Sequence, residues 1–192
     1  MDIQEIIHFQ HKIRLLKDLV RGSNNPFIHK KDTVGSHSWR AALLSLQLME
    51  YFEKKSLNTQ KITNMLLIHD LVELGNSEVK AVGHRDRKEK ATHESEIANS
   101  LFTPYEGSWS IVLKSLLDEF MAQKTLESKI AKCLENYESN LHVIEEIDPV
   151  RDPDHKRITI DYIKRRIGIL PILDELIKNQ LEEIEQVSRY MK

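Results

Sequence analysis

Three observations predict an all-α protein. Apolar residues recur at three- and four-residue steps along nearly the whole chain, no stretch alternates apolar and polar as a half-buried strand does, and capping or breaking residues separate the periodic segments. Ile3, Ile6, Ile7, Ile13, Leu16 and Leu19 mark a first helix ending near Gly22. Gly22-Ser23-Asn24-Asn25-Pro26 is dense in turn formers, and the path on to Ser36 has no periodicity. Ser36 is expected to cap a second helix carrying Trp39, Leu43, Leu44, Leu46 and Leu48, and Asn58 or Thr59 a third over residues 59–73. The pattern breaks at Gly75-Asn76, and residues 83–90 are strongly polar. Ile97, Ala98 and Leu101 belong to a helix stopped before Pro104, and two more cover residues 107–122 and 126–147. Past Pro149 and Pro153, Ile158, Ile160, Tyr162, Ile163 and Ile167 form another helix. Pro171 opens the last, through Leu173, Leu176, Ile177, Leu181, Ile184 and Val187.

A chain of 192 residues is long enough for one well-buried core and short for two, so residues 1–192 are expected to form one domain. With 28 basic against 30 acidic side chains and a net charge of −2, nothing suggests a nucleic-acid surface. The lone Cys133 has no partner for an internal disulfide, which fits a reducing compartment. Met1-Asp2-Ile3-Gln4-Glu5 lacks the features of a signal peptide, and no apolar run approaches a bilayer's thickness. The expected location is cytoplasmic, with no membrane partner; a homodimer is left open.

The chemistry concentrates at His69-Asp70, set inside Met65-Leu66-Leu67-Ile68-His69-Asp70-Leu71-Val72, with Glu73 next and His37 upstream. Burying two adjacent ionisable groups is costly unless their charge and hydrogen bonds are compensated, and a divalent cation does both. Imidazole nitrogen and carboxylate oxygen suit zinc, manganese and related ions. On a helix, His69 and Asp70 lie four and three residues from Glu73, so the three occupy neighbouring positions. Two adjacent ligands do not complete a site; His37 is the candidate third, and a fourth must come from later in the chain.

His37, His69-Asp70 and a later helical acid resemble the His…His-Asp…Asp metal signature of the HD-domain phosphohydrolases. Asp32-Thr33-Val34-Gly35-Ser36-His37-Ser38 resembles the Glu-x-Val-x-x-His-Ser segment of the 5′-deoxynucleotidase-like branch, and His69-Asp70-Leu71-Val72-Glu73 its His-Asp-x-x-Glu. Lys90 and Glu94 resemble the branch's Lys-x-x-x-Glu segment. The similarity spans residues 12–148, with helices over 154–190 as a C-terminal extension of the HD-domain bundle.

The resemblance implies one divalent cation (Mn, Co, Zn, Fe or Mg) on His37, His69, Asp70 and Glu135. It also implies catalytic roles for Glu73 and Glu78, and substrate contacts from Arg21, Lys90 and Trp39. The activity it implies is removal of the 5′-phosphate from (deoxy)nucleoside monophosphates by a metal-activated water. Trp39 and the loop of residues 24–36 are expected to border the sugar, with core packing as the other role for Trp39. Two positions depart from the branch. Ser77-Glu78 stands for its Gly-Asp, and in Ala131-Lys132-Cys133-Leu134-Glu135-Asn136-Tyr137-Glu138 the glutamate at 135 replaces the ligating aspartate. Ile130, Leu134, Tyr137, Leu141 and Ile144 define the expected buried stripe of that helix, which Glu135 flanks. A helical nucleotide-sensing or partner-binding module that has lost turnover is the alternative these changes leave open. His8, His11, His29, His84, His93, His142 and His155 lie in polar surroundings and are expected at the surface.

Overall fold

The computed structural model describes residues 2–21, 30–76, 87–146 and 153–189. Among them the chain forms ten α-helices and no strand beyond one isolated bridge. Helix α1 (Ile3–Ile13) is capped by Asp2, whose side chain accepts from the Gln4 amide. It does not continue to Gly22 as expected. It tightens into a 3₁₀ turn at Arg14–Lys17, and the chain then runs extended so that Val20 pairs with Thr33. Arg21 N–H donates to the Asp32 carbonyl at 2.8 Å and Val34 N–H to the Leu19 carbonyl at 2.9 Å. These bonds use backbone groups that a longer helix would need.

Helix α2 (Val34–Gln47) starts earlier than expected because its cap is Thr33 rather than Ser36. The Ser36 amide donates to Thr33 Oγ1 at 3.2 Å and the Thr33 amide to Ser36 Oγ at 3.1 Å, a reciprocal capping box. The buried face of α2 also differs from the expected one. Val34, His37, Ser38, Ala41, Ala42 and Ser45 face inward, whereas Trp39, Leu43 and Leu46 are 63%, 41% and 48% exposed. Small side chains at 41, 42 and 45 let the backbone of α2 lie close to its neighbours, and that fixes which side turns in.

Helix α3 (Met49–Lys54) follows directly. Asn58 caps α4 (Thr59–Ile68), accepting from the Lys61 amide at 2.9 Å. The expected single helix to residue 73 becomes a 3₁₀ turn at His69–Val72 and a short α5 (Glu73–Asn76). The expected break at Gly75-Asn76 coincides with the end of α5, and a Cβ at Gly75 would stand 2.6 Å from the Ile97 side chain. That close approach seats α5 on α6 (Arg87–Phe102). The remaining helices are α7 (Ser108–Ala122), α8 (Leu126–Glu146), α9 (Pro153–Lys164) and α10 (Pro171–Arg189). Helix α9 stops before Ile167, and Gly168 takes a left-handed φ of 94° in the turn that follows.

Helix α8 runs through the centre, packing on α2, α4, α7 and α10. Burial therefore extends well beyond the predicted stripe: Glu135, Asn136, Glu138 and Asn140 are buried along with Ile130 and Leu134. One apolar cluster joins Ala41, Ala42, Phe52, Ile62, Met65, Leu66, Ile130 and Leu134 to Ile163, Leu173, Ile177 and Ile184, so the C-terminal helices share the main core. A second gathers Phe9, Leu71, Val72, Ile97, Leu101, Phe102, Tyr105 and Leu117. The histidines of interest lie on α2 and at the end of α4, between the two clusters.

Leu66 is fully buried in the main cluster, so Leu66→Ala is expected to cost about 2–5 kcal/mol in urea unfolding. Leu46→Ala on the exposed face of α2 is expected to cost no more than about 0.5 kcal/mol. Equal costs at the two positions would contradict the assignment of inner and outer faces.

Candidate metal centre

His37 is fully buried near the start of α2, and His69 is buried where α4 tightens into its 3₁₀ turn. Their Nε2 atoms face each other at 3.1 Å. Asp70 Oδ1 lies 3.2 Å from His69 Nε2, and Asp70 Oδ2 lies 3.9 Å from His37 Nε2. The three residues form one group of donors close enough to share an ion. Two ligands held by one such cation at about 2.0–2.2 Å stand roughly 2.8–3.6 Å apart, so these separations are close to those of a coordination sphere.

The other ring nitrogens set the proton positions. His69 Nδ1 lies 2.7 Å from the Leu66 carbonyl, which can only accept, so Nδ1 carries a proton and Nε2 is the nitrogen turned towards His37 and Asp70. His37 Nδ1 contacts a carboxylate oxygen of Glu138, one turn past Glu135 on α8. Burial is the main cause of both pKa shifts in this pair: the His37 imidazolium is pushed down to about 3, helped by Arg21 and His69, and Glu138 up to about 7 against the pull of Arg40. When Glu138 is ionised it accepts the His37 Nδ1 proton, and both Nε2 lone pairs then point into the same small space. Asp70 Oδ2, buried without a hydrogen bond, points the same way. The donor set therefore fits a divalent cation.

Arg21 already places a positive charge here. Its Nε lies 3.3 Å from Asp70 Oδ2 and its NH2 3.8 Å from Glu135 Oε1, with NH2 also donating to Ser139 Oγ at 3.2 Å. One guanidinium spanning Asp70 and Glu135 shows that the two carboxylates face a common volume. The pairing of Val20 with Thr33 holds Arg21 beside the N-terminus of α2, and so close to His37.

Glu135 is outside the group of three donors. It is not the solvated residue its place beside the expected stripe suggested. Its carboxylate takes Lys132 Nζ at 2.9 Å and the Asn136 side-chain amide. Burial raises its pKa, but Lys132 and the two histidines outweigh that and hold it down at about 2. Lys132 also lies 5.2 Å from the centre of the Phe120 ring, which packs on His69 at 5.2 Å. Glu73 is half-buried at the start of α5, one turn past His69. Glu78 falls outside the described residues, and Lys90 lies on α6 with its side chain outside them.

The structure does not bring Trp39 to this group. Two residues on a helix are separated by about 200°, so Trp39 faces away from His37, towards solvent. Its predicted core packing does not hold either. Of the histidines expected at the surface, His11 is exposed, His142 is half-buried, and His29 and His84 fall outside the described residues. Sequence reasoning missed the role of Glu138 as the partner of His37 Nδ1. Its position three residues after Glu135, on the same face of α8, was the available signal. Asp32, His37 and Glu138 form a second donor group, but it would need the same His37 Nδ1 that Glu138 engages.

The HD domain family matches residues 13–164. No curated protein matches. Among solved structures, a predicted metal-dependent phosphohydrolase from Magnetospirillum magnetotacticum MS-1 superposes with a TM-score of 0.72 at 22% identity, covering 95% of this chain and 94% of its own. An HD-domain phosphohydrolase from Listeria innocua gives 0.68 at 16% identity, covering 96% and 97%. A conserved hypothetical protein from Pyrococcus furiosus gives 0.58 at 20%, covering 95% and 99%. At these identities the likeness establishes a shared fold.

Replacing His69 or Asp70 by Ala is expected to abolish stoichiometric Mn²⁺ or Zn²⁺ binding, while His11→Ala retains it. Because an ion bound only by the native state adds to stability, a chelator should lower Tm in the wild type and leave the Asp70 variant unmoved. Full metal occupancy in Asp70→Ala, measured by elemental analysis, contradicts the assignment.

Proposed function

The chain belongs to the HD-domain family, and on that premise we propose that it is a metal-dependent phosphohydrolase acting on nucleoside monophosphates, deoxynucleotides foremost. The observation that carries this reading is the pair of Nε2 atoms at 3.1 Å, each ring tied off at Nδ1, beside Asp70 and one turn from Glu73. His37, His69 and Asp70 would hold the cation, with Glu135 as the fourth anionic donor across the Arg21 guanidinium. Bound there, a divalent cation lowers the pKa of a coordinated water and offsets charge building on phosphoryl oxygens.

The chain's own residues do the rest. Glu73 takes the proton of the attacking water and returns one to the leaving 5′ oxygen. Its place one turn beyond His69 keeps it next to the cluster without occupying a ligand position. Arg21 presents a planar fork of N–H donors suited to the non-bridging oxygens of a phosphate, and its present hold on Asp70 and Glu135 keeps that fork in the site. Lys90 and Glu78 are assigned to the substrate side. The sequence offers no glycine-rich phosphate loop and no dense basic cluster for a triphosphate chain, which favours a terminal monophosphate. With Trp39 turned outward, discrimination against a 2′-hydroxyl is assigned to the loop of residues 24–36, of which 24–29 lie outside the described residues.

Glu73→Gln keeps size and removes the titratable carboxylate. It is expected to retain the metal and lose roughly 10²–10⁴-fold in kcat. Wild-type turnover in this variant removes Glu73 from the mechanism.

The substrate assignment is tested by kcat/KM for deoxynucleoside monophosphates, ribonucleoside monophosphates and nucleoside triphosphates with Mn²⁺ or Co²⁺ present. Monophosphates are expected to be fastest. Faster release of tripolyphosphate from a deoxynucleoside triphosphate than of phosphate from any monophosphate overturns the assignment. No turnover at full metal occupancy favours a nucleotide-sensing module, a reading to which the engagement of Glu135 by Lys132 and Asn136 gives weight.

A further inference from the structure

The partner of His37 is itself held in place. Glu138 has one carboxylate oxygen on His37 Nδ1, while the other, Oε1, is buried and accepts no hydrogen bond. The cation nearest to Oε1 is Arg40, whose NH1 stands 3.6 Å away. Arg40 comes three residues after His37 on α2, so both side chains lie on the flank that packs against α8. Glu138 and Glu145 are seven residues apart on α8, two turns, and so share one face. Arg40 forks onto Glu145, with NH1 on Oε2 at 2.8 Å and NH2 on Oε1. A line of alternating charge thus runs from the surface inward: Glu145, Arg40, Glu138, His37.

Arg40 and Glu145 side chains are 36% and 42% exposed, so water screens their charge, and the two-point geometry mainly fixes where the guanidinium stands. By occupying both carboxylate oxygens of Glu145, the guanidinium is fixed with one edge against Glu138 Oε1.

We propose that Arg40 and Glu145 are positioning residues that hold Glu138 against His37 and thereby aim His37 Nε2 at the cation site. This rests on the reading that His37, His69 and Asp70 hold a cation, and its test is metal affinity rather than turnover. Mn²⁺ is titrated calorimetrically into the full chain and into R40Q, E145Q and the swapped R40E/E145R, with circular dichroism and Tm recorded for each. R40Q is expected to bind Mn²⁺ about tenfold or more weakly, within the range seen for outer-shell partners of metal-binding histidines, with helix content unchanged. E145Q, which frees Arg40 without removing it, is expected to lose less.

The swap separates positioning from tethering. R40E/E145R restores an ion pair between α2 and α8 but puts a carboxylate beside Glu138, so its affinity is expected to fall below that of R40Q. Recovery of wild-type affinity in the swap overturns the proposal and makes Arg40 a simple tie between helices; unchanged affinity in R40Q overturns it as well. Should R40Q not fold, R40K carries the test: it keeps the charge, loses the fork and is expected to bind several-fold more weakly, and wild-type affinity there overturns the proposal. If the unmutated chain binds no Mn²⁺, the cation reading itself falls and this inference with it.

Discussion

His37 and His69, both buried, bring their Nε2 atoms to within 3.1 Å of each other beside Asp70, and with each Nδ1 engaged elsewhere the two nitrogens are placed to share one cation. Much of the surrounding structure can be understood as the means of holding them there. His37 is brought in by a helix whose inner face is Ala41, Ala42 and Ser45, residues small enough for α2 to sit closely on its neighbours. His69 is presented by a change of helical type. At Ile68 the α-helix gives way to a 3₁₀ turn, and the Leu66 carbonyl accepts a hydrogen bond from His69 Nδ1–H. A tighter turn at this point places Asp70 and Glu73, three residues apart, nearly above one another.

The electrostatics follow from the same constraint. A buried cluster of His37, His69, Asp70, Glu135 and Glu138 carries more acid than base, and burial alone would drive its carboxylates to take up protons. Arg21, Lys132 and Arg40 oppose this from three directions. Lys132 wins at Glu135, whose pKa falls to about 2. Arg40 acts from farther away and only reduces the shift at Glu138, which still rises to about 7. At Glu135 the lysine is within hydrogen-bond distance at 2.9 Å and the two histidines help it, whereas at Glu138 Arg40 stands 3.6 Å away and Asp32 works against it.

Helical periodicity was enough to anticipate the all-α class and the extents of α4, α7, α8 and α10 to within a few residues, apart from the 3₁₀ turn after Ile68. It misjudged the inner face of α2, because hydrophobicity favours Trp39, Leu43 and Leu46 whereas packing distance favours alanine and serine. It also misjudged α8. A helix surrounded on several sides buries polar residues along with apolar ones, and a one-stripe reading cannot find them. His37, His69 and Asp70 stood out as a cluster because ionisable residues inside or near apolar runs need an explanation. Glu138 did not, since its value lies in a contact 101 residues away in sequence.

The Glu135 position shows how a longer side chain can be absorbed. An aspartate at this place on α8 would leave its carboxylate about one methylene nearer the backbone and so farther from the donors on the other helices. The glutamate instead reaches Lys132 three residues before it and Asn136 one residue after it, while still lying 3.8 Å from the guanidinium that also binds Asp70. Its charge therefore remains in the site even though its oxygens lie outside the closest donor group. Lys132 and Asn136 both engage Oε2, so Oε1, the oxygen that faces Arg21, is the one open to a cation. Lys132 rests against Phe120, and Phe120 against His69, so the ring that supplies one donor also supports the lysine that restrains another. Glu135 is thus restrained through contacts that lead back to His69.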